Sequence, residues 1–597
     1  MAVRMAKMAG ADIVVRALED EAIPFTFGIP GTHNIELYDA LARSSVRPIL
    51  VTDEQSASFM ADGLWRASGL LGCVNVVPGA GLTHALSGIA EAYLDGVPML
   101  VLGCGIRTDT GHAYQLHDVD QLAIARPVTK GVFRPLHGSQ LYDAVRGACT
   151  LALAAPPGPV MVEVPANLYL LPNAAAAEVE VEAPSLDAHL PAPAIPDAPP
   201  PLPVPEPEIV RRAAEILLGA RRPLLYFGLG AAGAARDLVR LAERLEAPVF
   251  TTLSGKGVFP ESHPLAAWPG CGDAAPPFAR AIADSCDATL AVGCRFAEVG
   301  TGSYGFDPPA PLIHVDVDPR VPGRNIAPEL SVVSDAAAFV SALLESLDAE
   351  GLERLPDPEL RTSLQSGVEQ AAREMSSPTG EGGVNPGLLL TALQKRLPAA
   401  SYASDSGNGT FLAAEGLRLD EQRRFLAPID YSCMGYSVPA AIGAAFGRPE
   451  RPSVALVGDG AFLMTGLEML TAATRSLPVL FVVLRDRELA QIAQFQATAF
   501  NRRTGSQVPD YELSAICAGV GIECLELRSY KQMAGVLDAA CAVLAEPRPV
   551  AIDVAIDYSR KTWFTRGVVK TNFRRLPWSA RLRFVARALG RRLSSGD

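Results

Sequence analysis

The chain has 597 residues, of which 49% are hydrophobic and 20% charged, and it carries a net charge of −13. That length exceeds one domain and argues for about three or four. The composition excludes long-range disorder, no apolar run is long enough to span a bilayer, and the acidic balance argues against nucleic acid as the main ligand.

In chain order, the opening MAVRMAKMAGADIVV lacks a signal peptide's long apolar stretch. Ten Cys without a CxxC pair fit reduced thiols, so a cytoplasmic protein is expected. The first block, 1–182, has the short apolar runs LGCVNVVPG and VPMLVLGCG separated by a helical pattern. A proline-rich stretch, Ala183 to Glu208, predicts an extended, semi-rigid linker. The middle block, 207–349, repeats the theme with RPLLYFGLG, APVFTTLS, ATLAVGCRF and PLIHVDVD. Its Gly228, Gly230 and Gly233 form a GxGxxG after a strand, a weak fingerprint because no acid ends the next strand.

A polar break from Glu350 to Gly387 precedes the third block, 387–559, with SVALVGDG, LPVLFVVLRD and PVAIDVAID. Short buried runs alternating with helices predict three doubly wound parallel-sheet α/β domains, the first and third alike in layout. The last block, 560–597, is basic. Arg560 to Arg592 holds eleven Lys/Arg and no acid, so the tail carries about +10 and the rest about −23. A helix there would place Leu582, Val585, Leu589 and Leu593 on one stripe, with Ser579 as a cap. Docking on the acidic body and peripheral contact with an anionic membrane are both open readings.

The strongest chemical signal lies in the third block. A buried strand ends in Gly458-Asp459-Gly460, and the next ends in Arg485-Asp486, 27 residues after Asp459. Glycines at a strand-to-helix turn let backbone N–H groups approach an anion. Two carboxylates at the carboxyl ends of adjacent strands suit a small hard cation such as Mg²⁺.

This pattern resembles the diphosphate-binding motif of thiamine-diphosphate enzymes, with Arg485-Asp486 replacing the usual pair of Asn. FGIPGTHNIELYDAL and ILVTDEQSASFMADGLWRASG look like the pyrimidine-domain opening of the acetolactate-synthase-like branch. ASDSGNGTF and YSCMGYSVPAAIGAAFGRP match its diphosphate domain, so the resemblance covers about residues 10 to 560. It implies a pyrimidine domain, a middle degenerate dinucleotide fold whose members bind FAD, another nucleotide or nothing, and a diphosphate domain. It also implies a homodimer or homotetramer with each site shared between subunits.

Under that resemblance, Glu54 is the glutamate that activates the aminopyrimidine ring, Met434 is the wedge between the two rings, and the Ser432 carbonyl accepts from the amino group. Asp405, Gly407, Asn408, Gly458, Gly460 and Ala461 line the diphosphate. Asp459, Asp486 and the Glu488 carbonyl hold Mg²⁺, and Arg485 or Arg487 offsets the added negative charge. His33, His84 and His117 fall on active-site loops where acetolactate synthase has other residues, which suggests proton transfer. Gln491, Gln494 and Gln496 follow the metal loop toward the pocket. The implied activity is cleavage or decarboxylation of a small 2-oxo acid, with or without ligation to a second carbonyl. Chemistry like that of the 2-hydroxyacyl-CoA lyases or diketone hydrolases, and a non-catalytic regulatory homologue, are the alternatives.

Overall fold

The computed structural model describes residues 8–172, 198, 200–351, 354–377 and 383–594, with side chains as far as Arg587. Most of the proline-rich linker and the side chains of Leu589 and Leu593 therefore lie outside the described residues. Three six-stranded sheets are present, and every strand pair in them is parallel. Such sheets must be covered on both faces, which is why their strands read as unbroken apolar runs.

The N-terminal sheet runs Arg47–Leu50, Phe25–Gly28, Gly72–Val76, Met99–Gly105, Pro159–Pro165, Gly131–Phe133. The C-terminal sheet runs Phe425–Leu426, Ser401–Ser404, Ser453–Gly458, Val479–Arg485, Val550–Ala555, Glu523–Leu527. Taken in chain order within each sheet, the two orders are identical, 2-1-3-4-6-5. The likeness of layout between the first and third blocks is thus a repeated topology. The middle sheet has the order 3-2-1-4-5-6 of a dinucleotide-binding fold.

One hydrophobic core spans the two outer domains, each of which also has a second core of its own, while the middle domain keeps another. The joint is a pair of topologically matching helices, Glu54–Ser68 and Ser437–Gly447. Each follows the second strand of its sheet, and small residues let their backbones touch. A Cβ on Gly63 would lie 2.2 Å from the Ala440 carbonyl oxygen, and one on Gly443 would lie 2.1 Å from that of Met60. Beside this crossing, Arg66 pairs with the buried Asp62 (2.6 Å) and Asp95 (2.8 Å), and the Tyr436 hydroxyl donates to Asp62.

Gly228 and Gly230 of the middle domain serve packing, while Gly233 faces open space. The turn after strand Pro223–Phe227 closes onto the turn after Ala288–Val292, with Gly230 N–H donating to the Gly293 carbonyl at 3.1 Å. A Cβ on Gly228 would meet that same oxygen at 2.0 Å. The close approach that a dinucleotide fingerprint offers to a ligand is here made by protein backbone.

The tail forms two helices, Trp563–Arg575 and Trp578–Ser594, where the sequence reading named one stripe. The first is knit into the body. Buried Glu415 accepts from the N–H groups of Trp563 and Phe564, Phe564 stacks on Phe411 at 3.8 Å, and Asp273 takes Lys570 and Arg574. The second helix touches the Ala490–Phe500 helix through Arg587 and leaves Trp578, Leu582 and Val585 exposed. Among the described residues no helix is long and apolar enough to cross a membrane.

Because the helix crossing tolerates no side-chain carbon, Gly443→Ala is expected to destabilise the fold by about 1–3 kcal/mol. Thermal unfolding checks this: the transition should move down, and an unmoved transition would mean that the helices part at little cost.

Candidate active site

Ligands in open parallel sheets sit beyond the carboxyl ends of the strands, and both outer domains place their chemistry there. In the N-terminal domain, Asp53 caps the Glu54–Ser68 helix by accepting from Gln55 N–H, which fixes Glu54 at its first position. The Glu54 side chain is nearly buried, and His84 Nδ1 lies 3.4 Å from its Oε2. Asp53, Glu54 and His84 form a compact group of potential ligand atoms.

His33 and His117 meet edge to face with ring centroids 5.5 Å apart. Burial and the neighbouring His117 hold His33 below the usual imidazole range. The 78–81 turn joins the two pairs: Gly79 allows the His117 backbone to approach, and Gly81 faces Glu54. Sequence reasoning passed over buried Gln121, which fixes this turn by accepting from Gly79 N–H and donating to the Cys104 carbonyl. The structure therefore gathers Glu54, His33, His84 and His117 along one edge.

In the C-terminal domain, Asp459 and Asp486 stand at the ends of adjacent strands. Asp459 accepts from the N–H groups of Gly460 and Arg487, both at 2.7 Å. Burial and the charge of Asp459 push the Asp486 carboxyl up to about 7. Two crowded carboxylates are a donor set that fits a divalent cation. The sequence reading offered Arg485 or Arg487 to offset the added negative charge: the charge of Arg485 does favour ionised Asp459, while both side chains also have direct partners elsewhere. Arg485 binds Asp553 (2.8 Å) and Asp510 (2.6 Å) and lies over Tyr511, while Arg487 pairs with Asp510. The Glu488 side chain pairs with Arg503, leaving its backbone carbonyl as the candidate ligand.

A Cβ on Gly460 would lie 2.6 Å from Leu489 and 3.8 Å from the Met434 methyl, so Met434 sits over the Gly458–Asp459–Gly460 turn. Asn408 opens the Asn408–Gly416 helix, and its buried Oδ1 has no protein partner, which leaves bonding capacity for a ligand. A Cβ on Gly407 would lie 3.7 Å from Gln491 Oε1, whereas Gln494 and Gln496 tie down neighbouring loops. Asp405 is fully committed: its oxygens accept from Gly435 N–H, Ser437 N–H and Ser437 Oγ, each at 2.9 Å. It thus holds the loop that carries Met434 rather than offering charge to a diphosphate. Ser432 sits in the same loop at φ 65°, with its Oγ 2.8 Å from that of Ser406.

The two outer domains also grip each other's site loops. Glu91, on the Ala80–Asp95 helix that carries His84, accepts from Cys433 N–H, next to Met434. Its signal was an acid on the helix's apolar stripe, three residues after Gly88. Among the described residues, no hydrogen bond or ion pair joins Glu54 or His84 to Asp459 or Asp486 within the chain.

Comparison with known proteins matches residues 8–124 to the N-terminal TPP binding domain of thiamine pyrophosphate enzymes, 210–343 to their central domain and 405–554 to their C-terminal TPP binding domain. The chain is 30% identical over 570 residues to the acetolactate synthase isozyme 3 large subunit of Escherichia coli, covering 94% of this chain and 96% of that protein. It is 30% identical over 530 residues to a probable acetolactate synthase large subunit of Methanocaldococcus jannaschii, covering 86% and 87%. It is 32% identical over 490 residues to the probable 2-ketoarginine decarboxylase AruI of Pseudomonas aeruginosa, covering 81% and 83%.

Burial and the charge of Asp95 raise the Glu91 carboxyl to about 9. A folded value above the unfolded one means that the fold holds the proton more tightly. This contribution to stability is full below the unfolded value and falls away as pH rises toward 9. Glu91→Gln should therefore flatten the decline in melting temperature between neutral pH and pH 9, and an unchanged slope would place that titration elsewhere.

Proposed function

The chain belongs to the thiamine pyrophosphate enzyme family, on its acetolactate-synthase-like branch, and from that premise we propose that it decarboxylates a small 2-oxo acid with the help of Mg²⁺. Thiamine diphosphate, when bound, supplies a thiazolium carbon that adds to the substrate carbonyl and accepts the electrons of the breaking C–C bond. Everything else falls to the protein's own residues.

Glu54 holds the proton exchanged with the aminopyrimidine ring, in a setting where burial strengthens the bond. His84, 3.4 Å from it, passes that proton on. Met434, over the Gly458–Asp459–Gly460 turn, would pack against the bound cofactor, where its soft unbranched chain suits a close fit. Asp459, Asp486 and the Glu488 carbonyl are assigned to Mg²⁺. Asn408, Gly407, Gly458, Gly460 and Ala461 are assigned to the diphosphate, with the Ser432 carbonyl facing the amino group.

The observation that carries the decarboxylase reading is the gathering of three histidines on the pyrimidine-side edge. The substrate loses its carboxylate as carbon dioxide, and the remaining fragment takes a proton and leaves as an aldehyde. Histidines at hand favour that protonation over transfer to a second carbonyl. Ligation is the second reading, favoured by the relatives named as acetolactate synthases. Because, among the described residues, no bond joins Glu54 or His84 to Asp459 or Asp486, a homodimer sharing its sites is the minimal assembly proposed.

A panel of 2-oxo acids with thiamine diphosphate and Mg²⁺ tests this. One acid should be consumed with release of carbon dioxide and aldehyde, and Glu54→Ala should lose about a hundredfold or more in rate. Acetoin-type or acetolactate-type products would install ligation instead, and an unimpaired Glu54→Ala would contradict the activation role.

The outer stripe Trp578, Leu582 and Val585, flanked by Arg583 within the acid-free stretch Arg560 to Arg592, is assigned to an anionic membrane surface by charge complementarity. The full chain should float with phosphatidylglycerol vesicles and the double variant Trp578→Ser, Leu582→Ser should not. Equal flotation would remove the assignment.

A further inference from the structure

Glu468 ends the short turn Gly466–Glu468 that follows the Asp459–Thr465 helix, so in sequence it belongs to the diphosphate half of the site. Its carboxylate is fully buried, yet it is spent on the other half. Oε2 accepts from Thr52 N–H at 3.1 Å and from Thr52 Oγ1 at 2.6 Å, while Oε1 accepts from Thr471 Oγ1 at 2.5 Å. Thr52 stands two residues before Glu54, between the Arg47–Leu50 strand and the Glu54–Ser68 helix. Among the described residues, the connection itself reaches the sheet through Val51 N–H, which donates to the Gly28 carbonyl at a long 3.4 Å.

A buried carboxylate in this place is costly unless its oxygens are satisfied. A threonine offering both its donors to the carboxylate is a specific answer to that cost. The link sets where the helix begins and hence where the Glu54 carboxyl stands. Glu91 makes the reverse contact, from the N-terminal domain to the loop beside Met434.

We propose that Glu468 is a positioning residue for the reaction, acting through Thr52 to hold Glu54 where it exchanges its proton with the cofactor. The inference rests on the activation role assigned to Glu54 above. Misplacing a reacting group by a fraction of an ångström costs rate without costing cofactor affinity, because the diphosphate contacts lie elsewhere. A glutamine at this position keeps the function. Its carbonyl oxygen accepts both Thr52 donors, and its amide donates to Thr471 Oγ1, whose own proton turns to the Leu50 carbonyl, 3.4 Å away.

The test uses the holoenzyme with thiamine diphosphate and Mg²⁺ and reads two quantities: deuterium exchange at C2 of the bound cofactor, and cofactor affinity. Glu468→Ala should slow exchange about ten- to a hundredfold while affinity holds. Thr52→Val, which keeps the buried acid and removes one donor, should slow it less, and Glu468→Gln should match wild type. Should Glu468→Ala fail to fold, Thr52→Val carries the test. Exchange unchanged in the folded variants overturns the proposal, as does exchange falling only in step with affinity. Wild type exchanging no faster than free cofactor would instead overturn the Glu54 reading on which the proposal stands.

Discussion

The contact on which the rest of the structure depends is the crossing of the Glu54–Ser68 and Ser437–Gly447 helices. Gly63 and Gly443 bring backbone onto backbone, closer than any side chain permits. That closeness joins two sheets through a shared core and places the buried Asp62, Asp95 and Tyr436, with Arg66, beside it. An ion pair there is not in itself strong evidence for stability, because desolvation offsets much of its attraction. Its value lies in specificity: removing either partner strands the other, so the network fixes one relative placement of the domains.

From that placement follows the arrangement of the chemistry. Both helices begin at the carboxyl edges of their sheets, one with Glu54 and the other just after Met434. Each domain then reaches across to hold the other's loop, Glu468 to Thr52 and Glu91 to Cys433. The two half-sites are therefore tied mechanically within one chain while, among the described residues, no direct bond joins their reactive groups. In the proposed dimer, a chain would lend its Glu54 to one site and its Asp459 and Asp486 to another.

Much of this was legible in the sequence, and the exceptions have physical reasons. Parallel sheets announce themselves as apolar runs because both faces are covered, so the three-sheet architecture was readable. The spacing of Asp459 and Asp486 was readable because a strand–helix–strand unit has a set length. The partners of Arg485 and Arg487 were not, since Asp510 and Asp553 are distant in sequence and nothing local marks an ion pair. Asp405 was legible as a site residue, but its three donors lie some thirty positions away, so its role as a clamp was hidden. Glu468 and Glu91 lay unnoticed within helices, because a buried acid is recognisable only once the face it occupies is known. The tail's charge was plain from composition, whereas its docking through Glu415 and Asp273 depends on acids from two other domains.

The central claim is that the reactive groups form two separate half-sites, completed only by a second copy of the chain. The most direct measurement mixes the Glu54→Ala and Asp459→Ala chains, each inactive alone, under conditions that let subunits exchange. Activity that appears on mixing is the predicted result, because hybrids contain one site with both halves intact. A mixture as inactive as its parents, with wild type surviving the same treatment, would contradict the account.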